Sequence, residues 1–573
     1  MDYKVIYNNW LSDPKISVEA YEELKSIEND EKEIEYRFGA NLKFGTAGMR
    51  GIIGYGTNTM NIYTVRRATK GLAEYVKSLG AYACEKGVVI SYDTRKYSDV
   101  FAKATAEVLL YNGIAVKIFK NPSPVPMLSY AVRYYGATAG VMITASHNPK
   151  QYNGYKVYGE DGAQMSPEAT EKVVNYINEI KDYFSIEGNL IRKLKSKGNL
   201  TVIGKGFLNQ YVSTLKNLSL SKKAVKKYGK KLKLVYTPLH GTGYEPVTKI
   251  LKKLGINVTV VEAQKNPDPE FSTVSVPNPE NKEALTMAIE IANKLNTDVV
   301  FGTDPDSDRL GVAIKDNNGE FIGLSGNQVG VLLTDYVLKR LKAEGKLPSN
   351  GVVVKSFVST GMVKPICDDY GVKLEEVPVG FKFIGEKIKN YEADNSGTFL
   401  FGFEESCGYL RGTHSRDKDA VVASMLFAEM VCYYQYVGKS VYSVLMELYD
   451  RYGYVLDKTY SYEYSGLHAM DEMSEVVEKL RNTQISSVDV YNVLAVRDYL
   501  SGQKTHISGE VEKLEVSGVN CLYYELEIGG FICVRPSGTE PKLKVYYSVK
   551  GTKKEYAEKA FSIISSEFSK LLK

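Results

Sequence analysis

The sequence predicts an α/β protein built as three tandem α/β domains, each with a mixed, mainly parallel sheet, followed by a smaller C-terminal α+β domain. Three observations predict this. Strand-like and helix-like segments alternate through most of the chain, and such alternation implies parallel sheets with right-handed crossovers. The 573 residues correspond to about four domains at roughly 150 residues each. A content of 44% hydrophobic and 25% charged residues is that of a globular chain, not of a disordered, collagen-like or polytopic membrane protein.

The elements follow in order. Residues 18–37 are charged and read as helical, covering what comes after them. Residues 87–95 (GVVISYDTR) form a buried-strand run, 99–112 have helical spacing ending before Gly113, and 114–119 and 139–144 are strands. The pattern then recurs: strand 231–238, helix 245–254 stopped by Gly255, strand 256–263, helix 282–295 and strand 297–304. A third round has strand 351–358, helix 362–370, strands 372–379 and 397–403, and a long helix over 419–437. The last stretch differs, with the tyrosines Tyr460, Tyr462 and Tyr464, several short strands and an amphipathic helix over 554–572. In parallel sheets ligands bind beyond the carboxyl ends of strands, and each round carries its polar cluster there.

Composition excludes several classes. Lys+Arg 73 against Asp+Glu 68 leaves a formal charge of +5, which argues for neither a nucleic-acid partner nor a membrane surface. The densest basic run, Lys222, Lys223, Lys226, Lys227, Lys230, Lys231 and Lys233, reads as a solvated helix face and turn. The six cysteines include no CxxC pair, and no HExxH occurs, so neither a redox dithiol, a zinc site nor a disulfide framework is indicated. The N-terminus lacks a signal-peptide design. The longest apolar stretch, 421–434, is interrupted by Glu429 and is shorter than the ~20 residues of a membrane span. A cytoplasmic location is expected. Without coiled-coil heptads, the oligomeric state stays undetermined.

Three motifs carry chemistry. In GTDPDSDR (302–309) the carboxylates Asp304, Asp306 and Asp308 alternate directly after an apolar strand. On an extended loop they share one side, and each pair repels by roughly 4 kcal/mol at 4 Å and an effective dielectric of 20. A hard divalent cation removes that cost, and an all-oxygen donor set suits Mg²⁺; the competing reading is a solvated acidic turn. In TASHNP (144–149), Ser146 stands at the end of a buried strand with His147 beside it to orient or protonate. Taken alone, that motif is equally an ordinary turn. In RPSGTEPK (535–542), Arg535, Ser537, Gly538 and Thr539 offer a guanidinium fork, hydroxyls and an open backbone, as in a phosphate cradle, or else form a charged β-turn. Weaker candidates are Arg50 in GTAGMRG, the pair Asp93 and Arg95, Lys382 between two glycines, and Glu404 with Ser406 in GFEES, a carboxylate and hydroxyl suited to sugar hydroxyls. GxSxG, Walker A and GxGxxG are absent, so a serine hydrolase, a P-loop kinase and a dinucleotide enzyme find no support.

TASHNP, DPDSDR, GFEES and RPSGTEPK in this order resemble the α-D-phosphohexomutase family, nearest its bacterial α-phosphoglucomutase branch, from about residue 41 to the C-terminus. The resemblance implies four domains around a central cleft: 1–205 with the N-terminal helices and the serine loop, 206–322 with the metal loop, 323–455 with the sugar loop, and 456–573 with the phosphate loop. It implies that Ser146 is carried as a phosphoserine and ligates Mg²⁺ with Asp304, Asp306 and Asp308. Glu404 and Ser406 then grip the sugar, and Arg535, Ser537, Gly538 and Thr539 hold the non-reacting phosphate. Arg50, His147, Lys156, Arg309 and Lys382 match positions that line the reacting centre. The implied reaction interconverts glucose 1-phosphate and glucose 6-phosphate, with glucose 1,6-bisphosphate as intermediate and activator, and the fourth domain opening about Leu456. Small sugar phosphates are the expected partners. Where many mannose-using members carry Gly-His after Glu-x-Ser, this chain has Cys407-Gly408; the acid/base role then falls to Lys382 or His147, and glucose is favoured. The alternatives are phosphomannomutase, phosphopentomutase or phosphoglucosamine mutase activity, an Mg²⁺-dependent sugar phosphatase, and a non-catalytic sensor.

Overall fold

The computed structural model describes residues 2–45, 48–188, 198–464, 469–537 and 542–572. The chain forms two compact units. One comprises residues 1–324, 385–394 and 408–436; the other comprises 325–384, 395–407 and 437–573.

The first unit holds two mixed sheets. Strands β1 (Met49–Ile52), β2 (Val88–Tyr92), β3 (Val116–Phe119), β4 (Ala139–Ile143), β5 (Tyr152–Gly159) and β6 (Leu200–Ile203) line up as β1-β5-β4-β2-β3-β6. The run β4-β2-β3-β6 is parallel, and β5 returns antiparallel between β4 and β1. All five residues of β2 and of β4 are buried, as expected of strands covered on both faces. Strands β7 (Leu234–Thr237), β8 (Thr259–Val260), β9 (Val299–Thr303), β10 (Leu310–Lys315) and β11 (Phe321–Leu324) order as β11-β10-β9-β7-β8, with β9-β7-β8 parallel. The expected strand over 256–263 shrinks to β8, because at the sheet edge only β7 pairs with it and the chain turns into a short helix at Glu262.

The opening helical stretch is three helices, Tyr3–Ser12, Val18–Ser26 and Glu31–Phe38. The break near residue 30 follows from Asp30, whose carboxylate caps the third helix by accepting the Glu33 amide. Their apolar faces gather Trp10 with Phe38, Tyr63, Tyr183 and Phe184 in edge-on or tilted ring contacts. The lysine run lies on the helix Lys222–Tyr228 and the turn after it, with its lysines exposed.

The long helix expected over 419–437 is Ala420–Tyr436, capped by Asp419, which accepts the amides of Val421 and Val422. It is buried almost throughout, Glu429 included. The Glu429 carboxylate accepts the Ser219 hydroxyl at 2.7 Å, the Leu220 amide at 3.0 Å and the Ser221 amide. No single helix among the described residues is long and apolar enough to cross a membrane.

In the second unit, β12 (Gly351–Ser356), β13 (Lys373–Val377) and β14 (Thr398–Glu404) run parallel with β12 central. The C-terminal part is an antiparallel sheet ordered 454–463, 542–551, 530–536, 522–526, 491–498, 503–506, 511–513. The helices Ala469–Asn482 and Lys554–Lys570 pack on it through Met473, Val477, Ile564 and Phe568, giving the expected α+β domain.

Candidate active site

β9 is apolar and wholly buried, and it delivers the chain into Asp304 at its carboxyl end. Ser307 turns the loop with a left-handed φ of 53°. Asp304 Oδ1 then accepts the amides of Asp308 at 3.1 Å and Arg309 at 3.0 Å. This folds the loop so that one oxygen from each of Asp304, Asp306 and Asp308 lies within 4.8 Å of the others. All three side chains are buried.

Two ammonium groups reach the trio. Lys156 on β5 lies 2.9 Å from Asp306 Oδ2, and Lys418 lies 3.1 Å from Asp308 Oδ2. Asp306 Oδ1 and Asp308 Oδ1 are buried without a hydrogen-bond partner. Burial, with Asp306 and Asp308 alongside, raises Asp304 well above the ordinary carboxylate range. Burial and then Asp306 also raise Asp308. Burial pushes Asp306 upward too, but Lys156, Lys418 and a hydrogen bond from Asp304 outweigh it and hold Asp306 low. Buried carboxylate oxygens this close together, two of them without hydrogen bonds, are the donor set a hard divalent cation satisfies, so the residues fit Mg²⁺.

Ser146 follows β4 in the same unit. The Thr144 hydroxyl donates to Asp93 at 2.7 Å and accepts the Ser146 amide at 2.8 Å. Ser146 adopts φ 54°, and its Oγ donates to Asp304 Oδ2 at 3.0 Å while lying 3.1 Å from His147 Nδ1. Burial, then Arg309 and Arg50, pull His147 well below its usual range, so its imidazole is neutral. Arg50 on β1 binds the Asn148 side chain at 2.9 Å, and Arg309 binds Glu280 at 2.6 Å.

Asp93 and Arg95 pair at 3.3 Å, as the sequence allowed. The guanidinium also donates to the carbonyls of Ser146 at 2.6 Å, Asn148, Pro149 at 2.9 Å and Tyr152 at 3.1 Å. Arg95 therefore frames the serine loop.

Sequence reasoning missed Lys418 and Asp417. Asp417 accepts Tyr158 Oη at 3.0 Å and Lys418 Nζ at 3.2 Å. A Cβ on Gly408 would meet the Lys418 side chain at 2.1 Å, so the glycine after Cys407 makes room for the lysine stem. One signal was present: HSRDKD (414–419) places its charges immediately before a mostly apolar helix, where a solvated turn has no reason to be so rich in both signs.

The remaining candidates lie in the second unit. Glu404 ends β14, is buried, and accepts the Gly380 amide at 2.7 Å. Ser406 is half-buried in the turn after it. Lys382 stands in the first turn of the helix Phe381–Asp394, its ammonium 5.0 Å from the Phe383 ring centre. Arg535 is the penultimate residue of the strand 530–536, opposite Lys544, and the Ser537 amide donates to the Lys542 carbonyl at 2.8 Å. Gly538 and Thr539, like Thr46 and Ala47 of the GTAGMRG motif, lie outside the described residues.

Comparison with known proteins agrees with this layout. Residues 41–184, 209–319 and 325–452 match the models of the phosphoglucomutase/phosphomannomutase α/β/α domains I, II and III. The chain is 36% identical to a phosphoglucomutase of Staphylococcus haemolyticus over 523 residues, covering 90% of this chain and 91% of that one. It is likewise 36% identical to one of Staphylococcus aureus over 535 residues, covering 92% and 93%. Its fold is similar to that of a putative phosphomannomutase from Thermus thermophilus (TM-score 0.68, 23% identity, 93% of this chain and 99% of that one). It is also similar to the open form of the Paramecium phosphoglucomutase parafusin (TM-score 0.69, 16% identity, 93% and 94%). The chain belongs to the phosphoglucomutase/phosphomannomutase family, as its motif order implied.

Proposed function

We propose that the protein interconverts α-D-glucose 1-phosphate and glucose 6-phosphate, carrying the phosphoryl group on Ser146. One observation carries the reading: the Ser146 hydroxyl lies 3.0 Å from Asp304 in a buried trio of aspartates. The phosphoglucomutase relatives at 36% identity support the choice of glucose, and Cys407-Gly408 in place of Gly-His is consistent with it.

Asp304, Asp306 and Asp308 would hold Mg²⁺, which shields charge during phosphoryl transfer. Lys156 and Lys418 supply further positive charge against Asp306 and Asp308, and the burial of Ser146 keeps water from its oxygen. In the transfer, the sugar's free hydroxyl oxygen bonds to phosphorus and the bond from phosphorus to Ser146 Oγ breaks. The bisphosphate then returns its other phosphoryl group to the same Oγ. The sugar hydroxyl loses its proton as it bonds to phosphorus, and Ser146 Oγ gains one as it departs; neutral His147, 3.1 Å from that Oγ, is placed to relay it, and Lys382 is the second candidate for that role. Glu404 and Ser406 would hold sugar hydroxyls. Arg535, Ser537, Gly538 and Thr539 would hold the non-reacting phosphate. Arg50 and Arg309 would supply positive charge for the reacting one. Glucose 1,6-bisphosphate as activator, domain boundaries near 206, 323 and 456, and a cytoplasmic location belong to the same proposal.

The test is Ser146→Ala in a coupled assay on glucose 1-phosphate with catalytic bisphosphate. Turnover should fall by about 10³-fold or more, since the covalent route is lost. Activity within about tenfold of wild type, with the fold intact, removes Ser146 from this role. Mannose and ribose 1-phosphates in the same assay, and release of inorganic phosphate, address the alternatives.

A further inference from the structure

Four consecutive carbonyls of the metal loop are already taken within the protein. The Asp304 carbonyl accepts the Ser307 amide at 2.9 Å. The Pro305 carbonyl accepts both the amide and the hydroxyl of Thr242, each at 2.8 Å. The Asp306 carbonyl accepts the Val125 amide at 3.0 Å, and the Ser307 carbonyl accepts the Ala420 amide at 3.2 Å.

The three outside donors come from three different elements. Val125 and Ala420 are the first residues of the helices Val125–Tyr134 and Ala420–Tyr436, so their amides have no acceptor within their own helices. Thr242 belongs to the segment Leu239–Gly243, which lies flat against the loop. Leu239 and His240 there are consecutive left-handed residues, with φ 47° and 62°. The His240 ring is anchored by the Asn266 carbonyl at 3.0 Å and the Thr273 hydroxyl at 2.8 Å. A Cβ on Gly241 would lie 2.5 Å from Pro305 Cα, so no larger residue permits this approach.

We infer that Val125, Thr242 and Ala420 are positioning residues that set both the affinity of the loop for a divalent cation and its preference for a small one. The inference rests on the reading of the aspartate trio as a cation site. Ca²⁺ takes six to eight oxygen ligands, backbone carbonyls commonly among them, whereas Mg²⁺ accepts a few carboxylates and keeps its waters. With carbonyls 304–307 turned to other partners, the loop offers side-chain oxygens alone. Holding the same carbonyls also fixes the spacing of the three carboxylates.

The experiment measures Mn²⁺ binding to the purified full-length protein by electron paramagnetic resonance, without sugar phosphate, and displaces the Mn²⁺ with Mg²⁺ or Ca²⁺. For wild type, Ca²⁺ should displace Mn²⁺ at least about tenfold less effectively than Mg²⁺. Ala420→Pro removes one donor at a first-turn position where proline suits a helix, and Thr242→Val removes the hydroxyl. Each should weaken Mn²⁺ about fivefold and narrow the gap between Mg²⁺ and Ca²⁺ by about threefold, whereas Thr242→Ser should stay within about twofold of wild type.

Melting curves establish folding, and if Ala420→Pro does not fold, the Thr242 pair decides. Wild-type Mn²⁺ affinity and unchanged Ca²⁺ competition in folded variants would overturn the inference, as would a wild type that takes Ca²⁺ as readily as Mg²⁺. A wild type that binds and discriminates cations as expected, yet turns over no sugar phosphate, would sink the proposed function and leave this inference standing.

Discussion

The serine loop and the metal loop both follow buried strands, and both turn on a left-handed serine, Ser146 in one and Ser307 in the other. They are held in opposite ways. A buried arginine, Arg95, gathers four carbonyls of the serine loop. The metal loop's carbonyls are held from outside by neutral donors, the Thr242 amide and hydroxyl and the Val125 and Ala420 amides. The difference follows from what each loop carries. A loop whose working serine is proposed to carry an anionic phosphoryl group tolerates a guanidinium in its frame, and Asp93 balances that charge. A loop that gathers three carboxylates for a cation already has two ammonium groups, Lys156 and Lys418, against them, and a further fixed positive charge would cost cation affinity. Peptide amides and a hydroxyl hold its backbone without adding one.

The largest expected break of this comparison is Arg95→Met. It removes one donor from each of four carbonyls and leaves Asp93 buried without its counter-charge, a loss on the order of 3–5 kcal/mol, measurable by urea unfolding. A cost below about 1 kcal/mol would mean that the arginine does not frame the loop.

Cation removal sharpens the other half. A cation at about 100 times its Kd should stabilise the fold by about 2.7 kcal/mol, read as the difference between melting curves in Mg²⁺ and in chelator. The sign with pH follows from Asp304 and Asp308, whose pKa values are raised in the cation-free protein. Binding must expel the protons they retain, so affinity should rise with pH and the Mg²⁺-dependent stabilisation should shrink on acidification. A pH-independent difference would contradict the raised pKa values of Asp304 and Asp308.

A carboxylate outside both loops supplies the smallest effect and a reference. Asp457, in the second unit, has an oxygen shielded from solvent and without a partner, and burial raises its pKa from an ordinary 3.8 to about 6. Between those values the folded protein binds more protons than the unfolded chain, so stability falls as pH rises through the window and the penalty is complete above about pH 6. Asp457→Asn should therefore stabilise by on the order of 2 kcal/mol at neutral pH, with the gain vanishing near pH 4. Equal melting shifts at both pH values would show that the carboxylate carries no such burden.

Much of this was legible in the residues. Strand and helix alternation marked the α/β blocks, and DPDSDR directly after VVFGT marked the metal loop, since an apolar run ending in three acids has few other uses. Ser146 was legible only through its company, because Ser, Asn and Pro also make ordinary turns. Lys418 was not assigned at all: 110 residues separate it from Asp308, and no local pattern says which carboxylate a distant lysine will meet. Arg95 was visible as a partner for Asp93, but its hold on the serine loop was not, because the carbonyls it takes converge only once Ser146 adopts its left-handed φ.

By itself, then, the order of residues determined which segments are strand or helix, where the acids and the reactive hydroxyl stand on their loops, and to which family the chain belongs. The first two follow from periodicity and neighbouring side chains, which act over a few residues, and the family from the resemblance its motifs carry. The tertiary structure decided which lysines balance the aspartates, which helix ends cap the metal loop, and that its carbonyls accept hydrogen bonds from other segments. Those outcomes depend on unpaired backbone groups finding partners across the fold, and a peptide amide looks the same in every residue that carries one.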